Sequence, residues 1–107
     1  MSCVLEGRKL IRHLVMFRRL RDVAPQREIE IALVERMRDL SEQIDFARTW
    51  RLSANELDRP ICWDYVLESV FDDSAAVQRF LQHPAHVALA AELRSYFEWA
   101  VCDYTET

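Results

Sequence analysis

The chain has 107 residues, half of them hydrophobic and 30% charged, with a formal net charge of −4. That is the size and balance of one globular domain with one core, not of a disordered segment. A single glycine, Gly7, excludes glycine-rich phosphate loops, the lone basic run (FRRLR, residues 17–21) is too short for a nucleic-acid face, and no apolar run approaches the roughly 20 residues that span a bilayer.

Residues 1–9 form a lead, MSCVLEGRK, without the apolar region of a secretory signal. It reads as a short extension to a single domain over residues 10–107. Residues 9–20, KLIRHLVMFRRL, predict a first strand whose two faces are both largely apolar. Pro25 then opens a helix. Over residues 26–44 the period changes: Ile29, Leu33, Met37, Leu40 and Ile44 recur at spacings of three and four among charged neighbours. The charged side of that helix reads as a solvated face with no site on it.

Residues 45–56 predict a second strand and residues 57–60 a turn. Residues 61–73, ICWDYVLESVFDD, predict a third strand rich in aromatic and β-branched residues. Trp63, Tyr65, Leu67, Ser69 and Phe71 share one of its faces. A short helix follows, with Asp73 or Ser74 as N-cap. Pro84 drives the preceding residue out of the helical region, so this helix stops near Gln82. Pro84 starts another helix, to about Phe97, with His83 as its N-cap and Val87, Leu89, Ala90, Leu93 and Phe97 on its apolar side. Residues 97–106 predict a fourth strand.

The order β-α-β-β-α-α-β predicts an α+β, ferredoxin-like fold: a four-stranded antiparallel sheet with its helices on one face. The other face is left bare. Strands this apolar on both sides imply a homodimer pressed sheet to sheet, a dimeric α+β barrel. Cys3, Cys62 and Cys102 are odd in number and widely spaced. They read as reduced thiols of a cytoplasmic protein, Cys62 and Cys102 as small buried hydrophobes.

The chemistry rests on three histidines. His83 and His86 are three apart, the spacing of a helical metal clip, but His83 precedes proline and falls outside the helix, and no ligand cluster accompanies the pair. Neither a metal nor a cofactor is implied. His83 reads as a joint residue. His86 falls in a first helical turn, where the helix dipole disfavours the imidazolium and leaves a neutral base near pH 7. Its plainer reading is a satisfied polar residue. His13 reads as a hydrogen-bonded core or interface residue, or as a partner of His86 in one pocket. Tyr65 reads as core or interface, or as a third pocket residue.

The strings IRHLVMFR, YVLESVFDD, FLQHPAHVAL and the terminal VCDY resemble the stress-responsive A/B-barrel domain (Dabb) family over about residues 10–104. The resemblance implies a dimeric α+β barrel of ferredoxin-like subunits. The family holds plant stress proteins, polyketide cyclases using acid–base chemistry and bacterial proteins of no assigned role. In cyclase-type members the second histidine of HPAH, here His86, acts with an upstream tyrosine, and first-strand and third-strand histidines lie nearby. The first-strand histidine corresponds to His13. The tyrosine position reads Phe80 and the third-strand position Tyr65, so two of four positions depart.

The expectation is a pocket between sheet and helices, with His86 as base and His13 and Tyr65 as its partners. Val15, Phe17, Leu67, Phe80, Leu89 and Phe97 would line it. The ligand would be a small hydrophobic or aromatic carbonyl compound, and the reaction a cofactor-free, polyketide-cyclase-like lyase or isomerase step. The alternative, which Phe80 favours, is a non-catalytic binding or structural dimer.

Overall fold

A computed structural model describes residues 9–106. The lead expected as an extension, Cys3 included, lies outside the described residues apart from Lys9. The elements are β1 (Ile11–Arg19), α1 (Arg27–Asp39), a 3-10 turn (Leu40–Glu42), β2 (Thr49–Ala54), β3 (Tyr65–Phe71), α2 (Ser74–Gln82), α3 (Pro84–Leu93) and β4 (Phe97–Thr105). The four strands form one sheet in the order β2-β3-β1-β4, and every pairing is antiparallel. This is the ferredoxin-like arrangement expected from the element order.

Alternation along the strands divides the sheet into two unlike faces. His13, Val15 and Phe17 of β1 are buried, as are Leu67, Ser69 and Phe71 of β3. They meet Leu33, Val34, Met37, Leu40, Val77, Phe80, Leu89 and Leu93 from the helical layer in one core. On the opposite face Leu14 and Val66 are half-buried and Met16 is 40% exposed. Among the described residues, strand β1 is therefore covered on one side only.

Several boundaries differ from the expected ones. The first helix ends at Asp39 and its last turn tightens to 3-10 geometry. Ile44 stays in the core beyond it, whereas Ile29, expected on the apolar stripe, is 39% exposed. The second strand starts at Thr49 and the third at Tyr65, because turns occupy the residues before them. Helix α3 ends at Leu93 rather than near Phe97: Ser95 and Tyr96 turn back through backbone hydrogen bonds to Glu92 and Leu93. Phe97 is thus the first residue of β4, and Val87, on the other flank of α3, is 53% exposed. Cys62 is half-buried and Cys102 exposed, not buried as expected. Cys102 falls on the bare face, because alternation along β4 turns its even-numbered residues away from the helices.

The seam between α2 and α3 follows the sequence closely. Asp73 caps α2, its carboxylate accepting from the Ala76 N–H at 2.8 Å. His83 ends α2 and caps α3, with extended backbone and its Nδ1 accepting from the Ala85 N–H at 3.1 Å. Pro84 occupies the first helical position, where a missing N–H costs nothing.

Candidate functional site

Between the sheet and the helices lies a cavity of about 250 Å³. Its floor is His13, Val15 and Phe17 of β1 with Leu67 of β3, Trp50 of β2, and Trp99 and Val101 of β4. Its roof is Met37 of α1, Leu40 of the 3-10 turn, Phe80 and Leu81 of α2, and His86, Leu89, Ala90, Leu93 and Arg94 from α3 and its end. The walls are mostly apolar, as ligand pockets are. An engineered cavity of roughly 150 Å³ takes up benzene, so this one has room for one ring and a substituent.

His86 is the third residue of α3 and half-buried. Its Nδ1 lies 3.0 Å from the Leu81 carbonyl in the last turn of α2. A carbonyl only accepts, so Nδ1 carries the proton and the neutral ring keeps its lone pair on Nε2. The same bond satisfies one of the carbonyls that the end of α2 leaves without a helical partner. Burial lowers the His86 pKa from its ordinary value, and the nearby His13, Arg94 and His83 add to this against the Leu81 bond. Desolvation, rather than the dipole invoked from the sequence, is the main cause.

His13 is 3% exposed. Its Nδ1 sits 2.5 Å from Oδ1 of Asp103, the residue directly opposite it on β4. This commits Nδ1 and leaves Nε2 as the ring's one uncommitted polar atom. The Phe80 ring packs against both imidazoles, 5.6 Å from His13 and 4.5 Å from His86 between centroids. Stacking on Phe71 and an edge contact from Trp50 fix Phe80 in turn.

The structure brings His13, His86, Val15, Phe17, Leu67, Phe80 and Leu89 to one cavity. It leaves out two of the residues expected there. Phe97 is buried in the core against Phe17 and Tyr65. Tyr65 opens β3 opposite Phe17, whereas His13 lies opposite Ser69. Four residues of strand separate those positions, about 13 Å at the usual rise. The Tyr65 hydroxyl instead donates to Glu30 at 2.5 Å. Arg19 clamps the same Glu30 at 2.7 Å and reaches Asp64 at 2.8 Å. The Arg19 guanidinium holds the Glu30 carboxyl below the usual range, while burial and the bond to Glu30 push the Tyr65 phenol up.

Asp103 and Arg94 are the charged site residues that sequence reasoning missed, and Trp50 and Trp99 of the lining were missed with them. The signal for Asp103 was an acidic residue on the inward side of β4, legible only once the β1–β4 register is known. Arg94 was masked by the expectation that α3 continued past it.

A ferredoxin-like domain with two histidines in an apolar cavity beneath its sheet defines the class. The chain belongs to the family described as Stress responsive A/B Barrel Domain, whose model matches residues 11–106. It is 40% identical over 95 residues to an uncharacterized protein of Streptomyces coelicolor, covering 89% of this chain and 98% of that one. A dimeric protein of unknown function with a ferredoxin-like fold from Bacteroides fragilis superposes with a TM-score of 0.73 at 25% identity, over 91% of this chain and 96% of that one. The hydroxynitrile lyase of Passiflora edulis superposes with a TM-score of 0.78 at 17% identity, over 92% and 94%; this second likeness is one of fold. No helix among the described residues is long and apolar enough to cross a membrane.

Proposed function

We propose that this protein is a homodimeric small-molecule pocket protein that moves a proton on a carbonyl compound, with His86 as the base. The observation that carries this reading is the hydrogen bond from His86 Nδ1 to Leu81, which leaves the lone pair on Nε2 of a partly desolvated ring that lines the cavity. A carbonyl compound seated there loses an α-proton to Nε2. The resulting imidazolium returns the proton at another position after enolisation or ring closure, giving isomerisation or cyclisation. His13, oriented by Asp103, borders the same space. In this reading Tyr65 has no direct part and acts as a strand-end anchor for Glu30.

Pairing through the bare sheet face is supported by its composition. Leu14, Met16, Val66, Ala100, Cys102 and Tyr104 lie on it, with Met16 and Tyr104 about 40% exposed. The Bacteroides fragilis neighbour is described as dimeric. The Arg12–Glu68 and Arg18–Glu98 pairs lie on the same face toward the two ends of β1, and exposed apolar residues with a charged rim are the make-up of an interface.

One observation favours a second reading, binding without turnover. Phe80, against both imidazoles, offers no hydroxyl to protonate or hold a carbonyl oxygen. Deuterium exchange separates the two readings. Aromatic ketones and β-diketones are incubated with the protein in D2O, and exchange at the α-carbon and the histidine ring resonances are followed by NMR. Proton transfer predicts accelerated exchange that His86→Ala abolishes. Ring shifts without exchange would leave a binding protein, and exchange undiminished in His86→Ala would remove His86 from the mechanism.

A further inference from the structure

Among the described residues one arginine lines the cavity, Arg94, and its place there is not accounted for by its part in capping α3 or in lowering the His86 pKa. Arg94 follows the last residue of α3 and caps that helix, its backbone N–H donating to the Ala90 carbonyl at 3.1 Å. A cation suits a helix C-terminus, which accounts for a basic residue here but not for where its head lies. The guanidinium is laid over the Trp99 indole, 5.2 Å from the ring centroid, and both side chains line the cavity. Val101, also on the lining, is 50% exposed. Arg94 is itself exposed, so these residues stand where the cavity meets solvent.

Arg94 is the one arginine on the cavity lining, and six of the other described arginines, Arg38 beside Glu35 included, are matched to carboxylates. Arg12 is paired with Glu106, Arg18 with Glu98, Arg19 with Glu30, Arg36 with Glu92 and Arg48 with Asp72. Among the described residues no carboxylate lies within ion-pair distance of Arg94. Its planar fork lies over the indole, and among the described residues no carboxylate engages its N–H edges. A guanidinium so arranged matches a carboxylate with two parallel hydrogen bonds. Behind it lie an apolar chamber sized for one ring and the two histidines.

From this juxtaposition we infer that the ligand is an organic acid: a single aromatic or alicyclic ring seated in the cavity, with its carboxylate held at the mouth by Arg94. The inference rests on the pocket reading above and narrows its substrate class from carbonyl compounds in general to keto acids, with simple aryl acids as non-reacting ligands of the same site. It also assigns Arg94 as the specificity-determining residue. The carboxylate fixes which end of the molecule enters, and so which carbon comes under His86.

Phenylacetate and its neutral isostere phenylacetamide test this, with binding followed by tryptophan fluorescence, to which Trp50 and Trp99 of the lining contribute, and by the histidine ring resonances. The expected result is about a tenfold preference for the acid, worth about 1.4 kcal/mol. Arg94→Gln should lose that preference while still binding the amide, and Arg94→Lys should restore part of it. Equal binding of acid and amide by the unaltered protein overturns the inference and leaves the pocket reading standing. So does an acid preference that survives in Arg94→Gln. Failure of both probes to move any cavity resonance overturns the inference together with the pocket reading.

Discussion

His13 and Asp103 face each other in register across β1 and β4, and their side chains meet at 2.5 Å. The imidazole is 3% exposed and the carboxylate 41%, so the pair joins the cavity wall to solvent. The carboxylate fixes His13 as the tautomer protonated on Nδ1 and sets its ring plane. Asp103→Asn keeps the shape and removes the charge. It is expected to give a mixed tautomer, read from the nitrogen-15 shifts of the ring, and to cost about 1 kcal/mol in urea unfolding, since one partner is well solvated. A His13 still protonated only on Nδ1 in that variant contradicts the assignment.

Stability should fall at mildly acid pH through His86. Its pKa is lowered in the folded chain, mainly by burial, so the unfolded chain binds its proton first as pH falls. The slope of unfolding free energy with pH is then positive. The contribution is fully present above the ordinary histidine value of about 6.5. It is lost progressively as pH falls from there through the folded-state value. His86→Asn should flatten the stability–pH curve in that window and leave it unchanged near pH 8. An unaltered curve below pH 6.5 would mean that the ring is not desolvated.

Much of this was legible in the sequence because local chemistry dictates it. Period-two alternation put His13, Val15, Phe17 and Leu67 on one face, and Pro84 made the seam that places His86. What was not legible depends on pairing between distant strands. Tyr65 shares a face with Leu67, but only the β1–β3 register reveals that it stands opposite Phe17 and far along the strand from His13. Phe97 fits a helical apolar stripe as well as it starts a strand. The turn at Ser95 and Tyr96 decides the matter, and no glycine or proline announces it. The solvated reading of the first helix overlooked Glu30, because its partners Arg19 and Tyr65 come from two different strands.

Phe80 should be the costliest cavity residue to truncate. It is 1% exposed, stacks on Phe71 at 5.3 Å and supports both histidines. Phe80→Ala is expected to lose about 3–5 kcal/mol, measured by denaturant unfolding, and to free both imidazoles to reorient. Phe80→Leu keeps most of the volume and should lose appreciably less. Equal losses for the two would show that the ring's aromatic contacts, not its bulk, hold the wall.

The bare sheet face gives a test of assembly. Met16 projects from the middle of β1, opposite Val66 on one side and Ala100 on the other. Its 40% exposure makes a charge there tolerable in the monomer but not between two packed sheets. Met16→Glu should therefore convert a dimer to a monomer by light scattering while the far-ultraviolet circular dichroism stays unchanged. A dimer of undiminished affinity would mean that the copies meet elsewhere.

The anchor at the far end of β3 has its own signature. The Tyr65 phenol is held above its ordinary value by burial first and by the bond to Glu30 second. Glu30→Gln removes the negative charge that opposes the phenolate and releases Arg19, which favours it. Both changes act in one direction, so Tyr65 should ionise at lower pH in the variant, followed by ultraviolet difference absorbance. Burial persists, and the phenol should remain above about 10. The stability change should be modest, about 0.5–1 kcal/mol, because Arg19 is half exposed and solvent screens its pairs. Cavity binding should survive intact, since neither Glu30 nor Tyr65 lines the cavity. A variant that loses ligand affinity along with the phenol shift would tie this anchor to the site after all.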